Sequence, residues 1–193
     1  MSYPIKKTDR NYTYGDYSSW PEGERWELID GIAYNMTPAP SRIHQKVSAI
    51  LFNELYNYFK GKPCEVYSAP FDLRLPEEDE EDKDIKTVVQ PDILVICDSS
   101  KLDDKGCKGS PDLIIEIVSP TTASMDYIQK LSLYERHLVK EYWIVHPLDE
   151  IVMVYKLLEN KSYGRAGIYS VEDQVKVGIF PDLILDLKTV FGK

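Results

Sequence analysis

The stretch that most constrains this chain is Pro111–Pro120, PDLIIEIVSP, where one acid stands inside an apolar run. Leu113, Ile114, Ile115, Ile117 and Val118 are the residues of a strand buried on both faces. Glu116 lies among them. An unpaired carboxylate in that setting costs several kcal/mol, so a cation, a hydrogen-bond network or a metal must offset it. Two plainer readings stand beside a functional one. Glu116 sits at the strand's wet end, or it pairs with a structural Lys or Arg.

The rest of the chain has room for a core around this strand. Its 193 residues suit one domain spanning 1–193, and 43% hydrophobic with 28% charged residues is the balance of a soluble globular protein. No apolar run is long enough to cross a bilayer, and the N-terminal MSYPIKKTDRNYTYGDY lacks the apolar centre of a secretory signal. A cytoplasmic location with no membrane attachment is expected. Cys64, Cys97 and Cys107 are odd in number and form no CxxC pair, so neither a disulfide framework nor a zinc site is expected, and Cys97 reads as a small core residue.

The net charge of −9 argues against a protein that coats nucleic acid non-specifically. The imbalance is local. Glu77–Lys86, EEDEEDKDIK, holds seven acids and two lysines, a net of −5, which leaves −4 for the remainder. Pro76–Lys86 therefore reads as a solvated charged loop without a role of its own.

In chain order, Tyr12–Trp20 reads as a short entry helix and Arg25–Met36 as a hairpin turning at Asp30-Gly31. Pro38-Ala39-Pro40-Ser41 breaks the strand, and Ser41 can cap the helix Arg42–Lys60, whose apolar residues recur at helical spacing. Glu65–Leu75 reads as a second strand region, with Pro70 marking an edge or a bulge. Val88–Asp98 is a third strand with Asp92 near its start, and Ser99–Gly109 is a connection. Thr121–Lys140 is a second helix, capped by Ser119, Thr121 or Thr122. Glu141–Val145 and Ile151–Leu157 form a hairpin, Gly164–Gly167 turns into a last small one, and Leu183–Leu187 is a terminal strand. The layout is α/β or α+β, with a central sheet built from Asp92–Cys97, Leu113–Val118 and Tyr142–Val145.

If the strands carrying Asp92 and Glu116 are neighbours, two carboxylates converge. That suits a hard divalent cation such as magnesium, which takes oxygen ligands and keeps several waters. Glu27 is a third acid, but alternation with Trp26 and Leu28 points it to solvent. His44 is ambiguous, a helix-capping or surface histidine being the commoner case. Lys130 stands one turn after Asp126, so an i,i+4 ion pair explains both. Gln90 reads as a strand-edge amide.

Taken together, the strings QPDILV (Gln90–Val95) and PDLIIEIVSPTT (Pro111–Thr122), then Asp126, Lys130, Tyr134, EYWIV (Glu141–Val145) and Val152–Tyr155, resemble the Uma2 family, also known as DUF820. Glu27–Gly31 and His44 fit the same pattern, and the likeness runs from about Tyr12 to Leu187. The resemblance implies membership of the PD-(D/E)XK nuclease superfamily and a restriction-endonuclease-like core, a mixed sheet flanked by helices. It implies a magnesium- or manganese-dependent DNA endonuclease, with Asp92 and Glu116 as catalytic metal ligands. The superfamily's lysine would follow Glu116 by two residues, and Val118 stands there instead. Lys130, from the next helix, is the matching candidate for the third catalytic residue. Glu27, His44 and Gln90 would support the site: Glu27 through a water on the metal, His44 near a phosphate, Gln90 by a hydrogen bond. A homodimer would suit cutting of both strands. A non-catalytic nuclease-fold interaction module is the alternative, favoured by the absent lysine and the acidic surface. His146 stands where similar sequences carry aspartate, a change with no mechanistic reading.

Overall fold

Alternation along Leu113–Ile117 decides the layering. Leu113, Ile115 and Ile117 enter one apolar cluster, whereas Ile114 and Val118 enter another on the opposite face. The strand is thus covered on both sides, and Glu116 shares the face of Ile114 and Val118. The computed structural model describes residues 6–21, 23–36, 39–119 and 123–193. Pro38, Thr121 and Thr122 lie outside the described residues, and with them the strand break and two of the helix caps expected there.

The central sheet has six strands, ordered Gly167–Ser170, Ile151–Lys156, Glu141–His146, Leu113–Ile117, Ile93–Ile96 and Glu65–Ser68. Leu113–Ile117 pairs parallel with Glu141–His146 and antiparallel with Ile93–Ile96. The helix Arg42–Phe59 covers the first face through Val47, Leu51, Leu55 and Phe59. Its N-cap is Ser41, whose hydroxyl accepts from the His44 amide. On the second face lie Leu133 and Tyr134 of the following helix and a second, seven-stranded sheet contributing Ile29, Leu73 and Val89. The fold is α+β, with two mixed sheets and few helices.

The expected hairpin is present as Trp26–Ile29 and Ile32–Asn35, with Asp30 (φ 52°) and Gly31 (φ 78°) in the left-handed region that its turn requires. Other expectations need correction. Glu65–Leu75 is not one strand. Glu65–Ser68 belongs to the central sheet and Leu73–Arg74 to the second, with a cis Ala69-Pro70 bond between them. Val88–Asp98 divides likewise. Val88–Val89 lies in the second sheet, and Ile93–Ile96 lies in the first. Pro91, lacking an amide hydrogen, falls at the crossover. The connection Ser99–Gly109 contains a small hairpin, Leu102–Asp103 with Gly106–Lys108.

The acidic loop is not idle. Arg74 is wholly buried, and its guanidinium donates to Asp82 at 2.5 Å and to Asp103 at 2.6 Å. Ile85, from the same loop, is buried in the cluster of Tyr12, Tyr14, Trp26 and Leu28. The loop therefore closes over a buried cation that engages Asp82, while Glu77, Glu78, Asp79, Glu81 and Asp84 stay exposed.

Cys64 and Cys97 form a disulfide. Glu65 pairs with Ile96 across the antiparallel ladder, and the two cysteines stand one step beyond, facing each other. Cys107 is free and buried. The helix expected over Thr121–Lys140 is π-helical over Met125–Lys130 and α-helical over Leu131–Arg136.

Candidate active site

Asp92 and Glu116 meet because their strands are adjacent. Ile93 pairs with Ile115 in the antiparallel ladder, and one step further brings Asp92 opposite Glu116. The Asp92 amide points at Glu116 Oε2 from 3.4 Å, and Asp92 Oδ2 accepts from the Ile117 amide at 2.7 Å. Pro91 falls at the crossover between the sheets just before Asp92, whose side chain is 21% exposed. Glu116 lies deeper, only 4% exposed.

Lys130 occupies the centre. Its ammonium donates to Glu116 Oε1 at 2.9 Å and to Glu27 Oε1 at 3.0 Å, with Asp126 at 3.9 Å. The i,i+4 pair with Asp126 is therefore the longest of its three ion pairs. Glu27 also accepts from the Gln90 amide at 2.9 Å. Strand alternation pointed Glu27 to solvent, but it is 5% exposed and faces Lys130. The solvent reading fails because both faces of the hairpin are covered: Trp26 and Leu28 enter the cluster of Tyr12, Tyr14 and Ile85, while Ile29, on the face of Glu27, enters that of Met125, Leu133 and Tyr134. Glu27 therefore belongs to the cluster around Lys130.

His44 reaches the site from the first turn of its helix, with Nε2 3.1 Å from Asp92 Oδ2. Its Nδ1 is buried without a partner among the described residues. Gln90 contributes through its backbone. Its side-chain amide turns away, donating to Tyr17 at 3.1 Å and Asp72 at 2.9 Å. Together, Asp92, Glu116, Lys130, Glu27 and His44 form one contiguous network. His146 stands apart, against Tyr127 and Asp149.

One participant was missed. The Tyr134 hydroxyl donates to Glu116 Oε1 at 2.9 Å. Residues 126, 130 and 134 share a helix face at intervals of four, and that spacing is legible in the sequence. Tyr134 reads from its apolar stripe as a core residue, which it also is.

The electrostatics are those of a crowded, dry acid cluster. Burial pushes the Glu116 carboxyl up to about 8; the Lys130 ammonium opposes this, and Asp126, Asp92 and Glu27 add to it. Burial pulls Lys130 down, but Glu116, Glu27 and Asp126 outweigh it and hold the amine well above its ordinary range. Burial likewise lowers His44, while the hydrogen bond and charge of Asp92 reverse the sign and raise it.

A divalent cation suits the free oxygens of this cluster. Lys130 and Tyr134 both bond to Glu116 Oε1, and among the described residues Oε2 has only the long contact from the Asp92 amide. Asp92 Oδ2 is engaged by Ile117 and His44, leaving its other oxygen. Among the described residues no group of three or more His, Cys, Asp or Glu forms a ready cage. Two carboxylate oxygens, one on the partly exposed Asp92 and one on the buried Glu116, match magnesium, which takes oxygen ligands, better than a closed tetrahedral zinc site.

A family model for Uma2, described as "Putative restriction endonuclease", matches residues 14–188. The chain is 26% identical over 143 residues to an uncharacterised protein of Synechocystis, covering 72% of this chain and 71% of that protein. A crystal structure from Anabaena variabilis, described as "a putative nuclease belonging to DUF820", superposes with a TM-score of 0.73 at 18% identity. That superposition covers 93% of this chain and 97% of the other, and at such identity it speaks to the fold alone. The family model spans nearly the whole chain, and this protein belongs to the Uma2 family.

Proposed function

We propose that the protein is a metal-dependent endonuclease that hydrolyses DNA phosphodiester bonds. The observation that carries this reading is the Lys130 ammonium, buried between Glu116 and Glu27 beside Asp92. Val118 leaves the strand without a cation, and a helix supplies one from above. Asp92 and Glu116 would hold magnesium or manganese through their unengaged oxygens. When bound, the ion supplies Lewis acidity toward a phosphoryl oxygen and toward water.

The chain's own groups divide the remaining work. Lys130 places fixed positive charge where negative charge grows on the scissile phosphate, in a site too dry for water to screen it. Glu27 holds that amine, and the Gln90 amide holds Glu27. His44 stands beside Asp92, where its imidazole can meet a phosphate. Glu27 and Glu116 share the Lys130 ammonium, and Asp92 lies beside Glu116, so a divalent cation would ease the repulsion between neighbouring carboxylates.

The test is magnesium- or manganese-dependent nicking of supercoiled plasmid. The wild type should nick and Asp92→Ala and Glu116→Ala should not, with circular dichroism unchanged; equal cleavage by all three proteins would exclude the proposal.

One observation favours a second reading, a nuclease-fold interaction module without catalysis. Both acids already have basic partners, Asp92 with His44 and Glu116 with Lys130. Calorimetric titration with manganese separates the two. A module predicts no uptake, whereas a nuclease predicts uptake that Asp92→Ala and Glu116→Ala remove.

A further inference from the structure

We propose that Tyr134 is a positioning residue, whose hydroxyl fixes which oxygen of Glu116 remains for a divalent cation; this rests on the metal-dependent reading above. A carboxylate turns readily about its last torsion, so its two oxygens exchange unless something distinguishes them. Here two donors converge on Oε1, the Tyr134 hydroxyl and the Lys130 ammonium, both at 2.9 Å. Oε2 is left on the side of Asp92.

The two donors are not equivalent. Lys130 has a flexible stem and divides its ammonium between Glu116 and Glu27. Tyr134 has no exposure, and its ring packs edge-on against Tyr142 with centroids 4.9 Å apart. Its oxygen is therefore fixed by the core and cannot follow a turning carboxylate. A ligating carboxylate is commonly held in this way by a hydrogen bond behind it, and loss of that bond weakens metal binding. The competing explanation is that a buried hydroxyl merely needs an acceptor. Tyr142 supplies the comparison. It is equally buried, but its hydroxyl donates to the backbone carbonyl of Asp126 at 3.1 Å, away from the Glu116 carboxylate.

The experiment is calorimetric titration of manganese into the full chain as wild type, Tyr134→Phe and Tyr142→Phe, with thermal unfolding of each. Phenylalanine keeps both rings in place, so both variants retain the fold and lose similar stability. Tyr134→Phe should bind manganese about 10- to 100-fold more weakly, while Tyr142→Phe binds as the wild type does. In plasmid nicking, Tyr134→Phe should lower kcat and leave KM for DNA unchanged. Unaltered manganese affinity in Tyr134→Phe, or an equal loss in Tyr142→Phe, overturns the positioning role while leaving the nuclease reading intact. A wild type that takes up no manganese overturns the nuclease reading and this inference with it.

Discussion

Lys130 reaches Glu116 from a helix at 2.9 Å, while Val118, two residues after Glu116 on the strand, is buried in the apolar cluster on the same face. The cation that a strand lysine would supply thus arrives from a different element. A lysine at 118 would have to enter that cluster, which also contains Met125, Leu133 and Tyr134.

Replacing Lys130 by methionine keeps the volume and removes the charge. Glu116 and Glu27 then face each other across a dry site without their common partner. Lys130→Met should lower unfolding stability by about 3–5 kcal/mol, as loss of one member of a buried ion pair does. Urea unfolding checks this. The double variant Lys130→Met/Glu116→Gln should recover part of the loss, because one stranded charge is removed.

Glu116 also sets a pH dependence. Its folded value, about 8, lies above the ordinary 4.5, with burial the chief cause. Its contribution to stability is therefore fully present below pH 4.5 and is lost as pH rises through about 8. Cation binding has the opposite sign, since the ion must displace the proton. Manganese affinity should rise from about pH 6 to about pH 8 and then level off. Calorimetry in buffers of different ionisation enthalpy should show proton release on binding below pH 8. Glu116→Gln should abolish both effects.

The disulfide gives a third expectation. Cys64 and Cys97 are 33 residues apart, and the bond ties the outermost strand of the central sheet to the strand that follows Asp92. Cys64→Ser/Cys97→Ser should cost about 3–4 kcal/mol on the loop-entropy account. The same decrease should appear in the wild type under reductant. A midpoint indifferent to reductant would show that the bond adds nothing.

Most of the central fold was legible because its signals are local. The buried run around Glu116, the Asp30-Gly31 turn and the periodic helix from Arg42 each declare themselves within a few residues. Asp92 and Glu116 were legible as a pair for the same reason, since each lies at a fixed place on an apolar strand. What escaped depends on partners distant in sequence. Glu27 faces Lys130 only because its side of the hairpin packs against the distant helix that carries Met125, Lys130 and Leu133. The acidic loop has a place only because Arg74 is buried beneath it. The cysteines meet only through the register of two strands. Periodicity is also blind to polar tips. Tyr134 lies on an apolar stripe, as its ring requires, while its hydroxyl belongs to the acid cluster.

The most direct measurement is a crystal structure of the protein soaked in manganese, read by anomalous scattering. One ion in contact with both Asp92 and Glu116, with the Lys130 ammonium still on the far oxygen of Glu116, is the predicted result. An anomalous map without a peak there, with Asp92 still paired to His44 and Glu116 to Lys130, would contradict it.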